Sequence, residues 1–127
     1  MGEEEFLQIG EVATQVKLSL RTIRHYDEVG LVTPSGRTGG GFRLYSSEDV
    51  DRLRIVKGMK PAGLTLEEMR ELLKLLESDS PDSERLEHFL AATGNQAERL
   101  TRHLDEVKKL NRRVHSALRS SAEAIHR

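Results

Sequence analysis

The last third of the chain carries a heptad pattern that one helix cannot bury by itself. From residue 86 to residue 118, mostly apolar residues recur with alternating steps of four and three over more than four repeats. The positions of this seam are Leu86, Leu90, Thr93, Ala97, Leu100, Leu104, Val107, Asn111, Val114 and Leu118. Because the spacing places all of them along one side of a helix, it predicts a coiled coil with a partner helix.

The length of this helix favours a partner in a second chain. A helix of about 35 residues spans roughly 50 Å, well beyond the small domain that the preceding residues can form. A helix folded back on its own domain is the alternative, and it would leave much of the seam uncovered. The polar seam residues Thr93 and Asn111 would favour one register at some cost in stability. We therefore predict a homodimer with a dimerisation helix over residues 83–120.

The polar segment 78–83 (SDSPDS) separates this helix from a small domain predicted over residues 6–77. Two capping boxes, SSED at 46–49 and TLEE at 65–68, open predicted helices over 47–60 and 66–76. The apolar residues at helical spacing in both segments are interpreted as core and not as the lining of a ligand pocket. The sequence therefore predicts a mainly α domain followed by a long helix.

Residues 20–45 (LRTIRHYDEVGLVTPSGRTGGGFRLY) predict a polar helix followed by a glycine-tipped hairpin. Ser19 can cap the start of this helix, and Gly30 can end it in the left-handed conformation. The extended runs 31–33 and 42–45 flank a turn-forming segment. With a shorter helix over residues 10–16 before it, the segment has the order of a winged helix-turn-helix. Such a helix can enter the major groove of DNA while the loop reaches the backbone.

The overall charge balance does not by itself indicate nucleic acid. The chain has 20 Lys and Arg against 21 Asp and Glu, a net charge of −1. Cations nevertheless outnumber acids locally between residues 20 and 60. These cations are Arg21, Arg24, Arg37, Arg43, Arg52, Arg54, Lys57 and Lys60. This clustering fits either a DNA-binding surface or a solvated helical face. Lys60, at a helix end, can meet a phosphate or merely favour the helix C-terminus.

Other chemistry finds little support in the sequence. The absence of cysteine excludes disulfides, thiolate metal sites and thiol redox sensing. The histidines His88, His103, His115 and His126 are more than two helical turns apart, so none forms the i, i+4 pair of a helical metal site. Neither a phosphate-cradling glycine loop nor a nucleophile–base arrangement is recognisable. We expect a cytoplasmic protein that is not an enzyme, binds no metal or cofactor and does not associate with a membrane.

Residues 9–76 resemble the DNA-binding domain of the MerR family of bacterial transcription regulators. The resemblance rests on RTIRHYDEVGL, a glycine loop, FRLYSSEDVDRL and GLTLEEM in that order. It implies a winged-helix dimer joined by an antiparallel pair of C-terminal helices. Such a dimer binds promoter DNA, then bends and untwists it so that RNA polymerase can engage both promoter elements. RNA polymerase is thus expected as an indirect partner.

The resemblance also implies a set of DNA-binding residues. The second helix would face the groove or its phosphates, the first wing would contact the backbone, and a second wing would be formed by the helices after residue 47. His25 occupies a position where the family often has a second tyrosine. The implied residues are Arg21, Thr22, Arg24, His25, Tyr26, Arg37, Arg43, Tyr45 and Lys60.

Effector sensing and two other functions remain open at this point. In the family, metal sensors use cysteines near the end of the long helix and drug sensors carry an added domain. This chain has no cysteine and only a short tail after Leu118. We expect it to act without an effector, the alternatives being a small ligand near residues 60–90 or a regulatory protein partner. An architectural DNA-bending protein and a coiled-coil adaptor are the competing functions.

Overall fold

The computed structural model describes residues 5–125, which form mostly helices. The chain divides into two compact units, one ending at Phe89 and one beginning at Leu90. The predicted mainly α fold, a winged helix-turn-helix followed by a long helix, is confirmed. Its elements are β1 (Leu7–Gln8), α1 (Ile9–Val16), α2 (Leu20–Glu28), β2 (Gly36–Arg37), β3 (Arg43–Tyr45), α3 (Ser47–Met59), α4 (Leu66–Glu77) and α5 (Ser83–Ile125).

Helices α1 and α2 form the helix-turn-helix. The turn between them is made by Lys17, which adopts the left-handed conformation with φ 57°. The predicted cap is confirmed, because the Ser19 hydroxyl accepts a hydrogen bond from the Thr22 backbone N–H at 3.0 Å. Gly30 follows the end of α2 with φ 71°, a conformation that glycine adopts without steric cost. These local signals fix where α2 starts and stops.

The wing is a three-stranded antiparallel sheet with strand order β1-β3-β2. Leu7 pairs with Tyr45 and Arg37 pairs with Arg43. The prediction of an extended run at 31–33 is wrong, since β2 comes later, at Gly36–Arg37. The backbone N–H groups of residues 31 and 32 instead donate to the Tyr26 carbonyl at 2.9 and 3.3 Å. Their side chains are buried in the core, so burial and not strand pairing explains the apolar residues there.

Both predicted capping boxes are present, at Ser46–Asp49 and at Thr65–Glu68. The inner face of α3 is buried as its periodicity predicts, together with Met69 and Leu73 of α4. The prediction that Leu76 joins this core is wrong for the single chain, because Leu76 is exposed, while Leu75 packs against the core. The buried face of α3 consists of Val50, Leu53, Val56 and Met59.

The first turns of α5 are fastened to α4 within the compact domain. The Asp82 carboxylate accepts hydrogen bonds from the backbone N–H groups of residues 84 and 85. The Arg85 guanidinium donates to both carboxylate oxygens of Glu71, at 2.6 and 2.8 Å, and lies 5.4 Å from the centre of the Phe89 ring. Phe89 is buried in the core. From there α5 continues as one unbroken helix through Gly94.

Candidate nucleic-acid interface

Helix α2 has a buried side and an exposed basic side. Ile23 is fully buried, whereas Arg21, Arg24 and His25 are exposed. Thr22 is half-buried, and its hydroxyl accepts a hydrogen bond from the Ser19 hydroxyl at 2.8 Å. The same short helix therefore anchors itself in the core and presents cations to solvent.

The exposed side of α2 and the end of α3 meet at one concave surface, which we call the cationic groove. Lys60, the residue after the last residue of α3, lines this groove together with the arginines of α2. The groove is lined by Arg21, Thr22, Arg24, His25, Glu28 and Lys60. Three cations face one carboxylate there, so the groove can attract a phosphate backbone although the whole chain is nearly neutral. Five of the nine predicted DNA-binding residues thus lie together.

The wing places two further predicted residues, Arg37 and Arg43, beside the last turn of α2. The Asp27 carboxylate accepts hydrogen bonds from Arg43 Nε at 2.7 Å and from Arg37 Nη2 at 3.3 Å. The hydrogen bond to Asp27 raises the pKa of the Arg43 guanidinium above its ordinary value, and burial opposes this only in part. Arg43 therefore remains cationic, and both arginines are joined to α2 through one carboxylate.

The two predicted tyrosines are not surface residues. Tyr26 is 5% exposed and Tyr45 is fully buried, and burial is the main cause of the raised pKa of both hydroxyls. The Tyr45 hydroxyl is enclosed and has no hydrogen-bond partner among residues 5–125. A contact between this hydroxyl and a DNA phosphate would require the wing to move. The geometry of the free chain thus does not support the predicted Tyr45 contact.

Sequence reasoning missed two acidic residues that shape the wing. Asp27 and Glu28 are the two acids between Arg24 and Arg37 in the sequence. Their position between the arginines of α2 and those of the wing is the sequence signal that could have pointed to Asp27. Asp49 was recognised only as part of a capping box. It is buried, and its Oδ2 atom accepts hydrogen bonds from the Ser35 and Ser46 backbone N–H groups at 3.0 and 2.9 Å. Asp49 therefore fixes the base of the wing to α3.

Metal and membrane sites find no support in the described part of the chain. Within residues 5–125, no group of three or more potential metal ligands comes together. The histidine spacing that was considered in the sequence includes His126, which lies outside the described residues. None of the helices between residues 5 and 125 is long and apolar enough to cross a membrane.

Family models match nearly the whole chain. The MerR HTH family regulatory protein model matches residues 7–76, and a second model, described as MerR, DNA binding, matches residues 50–117. The mercuric resistance operon regulatory protein of Bacillus cereus is 33% identical over 105 residues, which cover 83% of this chain and 77% of that protein. The chain therefore belongs to the MerR family, and it is a DNA-binding transcriptional regulator.

Solved structures support the same assignment. A MerR-family transcriptional regulator from Bacillus cereus superposes with a TM-score of 0.62 at 27% identity, covering 84% of this chain and 75% of that one. HiNmlR, described as a MerR family regulator lacking the sensor domain and bound to promoter DNA, superposes with a TM-score of 0.63 at 25% identity. That match covers 80% of each chain.

Proposed function

We propose that this regulator binds promoter DNA as a homodimer, with one cationic groove on each half-site, and that it bends and untwists the DNA between them. The observation that carries this proposal is the groove itself, where α2 and Lys60 present three cations on one surface. HiNmlR, which is similar over 80% of this chain, was solved on promoter DNA. In this reading residues 6–77 are the DNA-binding domain and residues 83–120 are the dimerisation helix.

The dimer is supported by the exposure of the seam on α5. In the single chain Leu104 is 51% exposed and Val107 is 54% exposed, and Val114 and Leu118 are similarly open. Burying such side chains against a second helix stabilises the pair by about 25 cal/mol per Å² of apolar area. An antiparallel pairing of two α5 helices would cover the seam and put one DNA-binding domain at each end of a spacer. The proposed dimer residues are Leu86, Leu90, Leu100, Leu104, Val107, Asn111, Val114 and Leu118.

Each domain would read one half-site through three elements. Helix α2 enters the major groove, with Arg21, Arg24 and His25 toward bases or phosphates. Arg37 and Arg43 reach the backbone from the wing. Lys60 supplies a phosphate contact from the second wing, formed by α3 and α4. Most of the affinity would then come from phosphate neutralisation and would fall steeply with salt.

A spacer of fixed length explains why the DNA would deform. Two domains on a stiff dimer must meet half-sites at one separation, and a duplex that does not match must bend or untwist, with phosphate contacts offsetting the cost. RNA polymerase would respond to the altered promoter shape and so would be an indirect partner. The protein would act in the cytoplasm, where its promoter lies, and without an effector.

Fluorescence anisotropy tests this proposal against the architectural alternative. The purified protein is titrated into its own upstream DNA and into a scrambled duplex at several salt concentrations. We expect a preference of at least about 1,000-fold for the specific site, together with a two-fold symmetric footprint. Equal binding to both duplexes would instead support an architectural DNA-bending protein, and genome-wide mapping of binding sites would check for another promoter. Absence of binding would support the coiled-coil adaptor.

A further inference from the structure

One carboxylate connects the recognition helix to two strands of the wing, β2 and β3. Asp27 lies in the last turn of α2, and its side chain is only 13% exposed. Its Oδ2 atom accepts hydrogen bonds from Arg43 Nε at 2.7 Å and from Arg37 Nη2 at 3.3 Å. Arg43 is in β3 and Arg37 is in β2. Asp27 thus joins the last turn of α2 to both arginines, while Asp49 holds the base of the wing to α3.

The pairing of the wing strands places two like charges beside this acid. Arg37 and Arg43 are direct cross-strand partners in the β2–β3 ladder. Like charges at directly opposed positions destabilise a strand pair. Asp27 offsets this repulsion, because its negative charge lies between the two guanidinium groups. Without Asp27, the two guanidinium groups would repel each other and would lose their shared link to α2.

The same contacts leave both arginines able to bind a phosphate. Arg43 uses its Nε–H for Asp27, and a guanidinium has four further N–H donors on its terminal nitrogens. Its side chain is 24% exposed, so part of the guanidinium reaches solvent. Arg37 donates from Nη1 to the Gly41 carbonyl at 3.3 Å, which ties it to the turn of the wing. Each arginine is oriented by the protein before any DNA is present.

We propose that Asp27 is a positioning residue that presets the wing arginines for the DNA backbone and thereby contributes to sequence specificity. The inference rests on the proposed promoter binding. Loss of the Asp27 charge has two opposite effects. It strengthens the attraction of any duplex, since one negative charge near the phosphates disappears. It also frees the wing, which weakens only the binding that requires the recognition helix and the wing to engage DNA in one fixed register.

The predicted result is a change in the specificity ratio, the affinity for the upstream DNA divided by that for the scrambled duplex. Asp27→Asn should lower this ratio about tenfold, the scale expected when two hydrogen bonds lose the charge of their acceptor. Asp27→Ser should lower the ratio in the same way, and it replaces Asp27→Asn in the experiment if that variant does not fold. Asp27→Glu keeps the charge and should restore most of the ratio. Asp51→Asn is the matched control, because it removes the same charge from an exposed residue that pairs with Arg54 on its own helix.

A second readout follows the contact without DNA. In the free wild-type protein, the Nε–H proton of Arg43 should give a shifted, slowly exchanging NMR signal, and this shift should disappear in Asp27→Asn but persist in Asp51→Asn. A folded Asp27 variant with the wild-type specificity ratio would overturn the inference, as would an equal loss of affinity for both duplexes. If the wild-type protein itself showed no preference for its upstream DNA, the proposed function would fail and the inference with it.

Discussion

The two units of this chain differ in how far they bury their apolar side chains. The domain that ends at Phe89 covers its own core, in which Val12, Ile23 and Leu53 are fully buried. The part of α5 from Leu90 onward carries apolar residues at heptad spacing, and these remain exposed. Apolar surface that stays in water for no structural reason usually marks an interface. The first unit therefore covers its core within one chain, whereas the second leaves the seam open, as the proposed dimer requires.

The contrast is sharpest at two neighbouring residues of one helix. Phe89 is 2% exposed, and Leu90 is 72% exposed. Phe89 lies under the Arg85 guanidinium, which is paired with Glu71 of α4. The step from one residue to the next changes the role of α5 from packing inside a domain to presenting a surface.

The largest effect is expected from a charge in the middle of the exposed seam. Leu104→Asp would bury a carboxylate in the dimer interface, so it should abolish the dimer and tight operator binding together. Sedimentation and operator titration measure the two properties. Arg102→Asp is the control, since the heptad places residue 102 away from the seam. A Leu104→Asp protein that stays dimeric would show that the seam is not the interface.

The next effect tests the domain side of the contrast. Phe89→Ala should lower the free energy of unfolding of the domain by about 3–5 kcal/mol, because it removes a buried ring and leaves a cavity. Urea unfolding measures this change in a Leu104→Asp background, where dimer dissociation does not contribute. In that background Leu90→Ala should change the stability by less than about 0.5 kcal/mol, since the side chain is exposed. If Phe89→Ala and Leu90→Ala lowered the free energy of unfolding equally, residues 89 and 90 would not differ in burial as described.

A smaller and more uniform effect is expected from single cations of the cationic groove and the wing. Arg24→Ala should weaken binding to operator and scrambled DNA alike and reduce the slope of log affinity against log salt by about one. Arg43→Ala should flatten the slope in the same way. Anisotropy titrations across salt concentrations measure both, with Lys109→Ala on α5 as the control. An unchanged slope in Arg24→Ala would rule out a phosphate contact for that residue.

The smallest effect concerns pH and the anchoring of α5. The hydrogen bond from Arg85 holds the pKa of Glu71 below its ordinary value of 4.5. For a carboxylate with a lowered folded-state pKa, the stabilisation is present above the ordinary pKa and is lost as the pH falls below it. The stability difference between wild type and Glu71→Gln should therefore shrink below pH 4.5, and it should be small because the pair is exposed.

Thermal unfolding across pH measures this difference, and Arg85→Gln should give the same profile as Glu71→Gln. A stability difference that stays constant down to acidic pH would contradict the assignment of the effect to this ion pair.

The features that were predictable from sequence are those that depend on local chemistry. The caps at Ser19, Ser46 and Thr65 were readable because a side chain bonds to its own helix three residues on. The buried face of α3 followed from its periodicity. The positions of Arg21, Arg24 and Lys60 on one surface were expected through the resemblance, and the structure places these residues around the cationic groove.

The features that were not predictable depend on contacts between distant segments. The pairing of β1 with β3 joins residues almost forty positions apart. Because β1 has two residues, it is too short to show the alternating pattern of a strand. Leu31 and Val32 are apolar residues of the kind found in strands, but here they are buried in the core without pairing as a strand. The role of Asp27 depends on the register that sets Arg37 opposite Arg43, and a glycine-rich turn does not fix that register in sequence. The burial of Tyr45 likewise became visible only in the folded domain.

A change in half-site spacing tests the central claim most directly. Once the footprint has located the two half-sites, about 5 bp is inserted between them, which turns one half-site to the opposite face of the duplex. A dimer with a spacer of fixed length should lose its preference for this DNA over the scrambled duplex, while two chains still bind the original operator. Undiminished affinity for the lengthened operator would mean that the two domains bind independently, and it would contradict the proposed dimeric reading of the promoter.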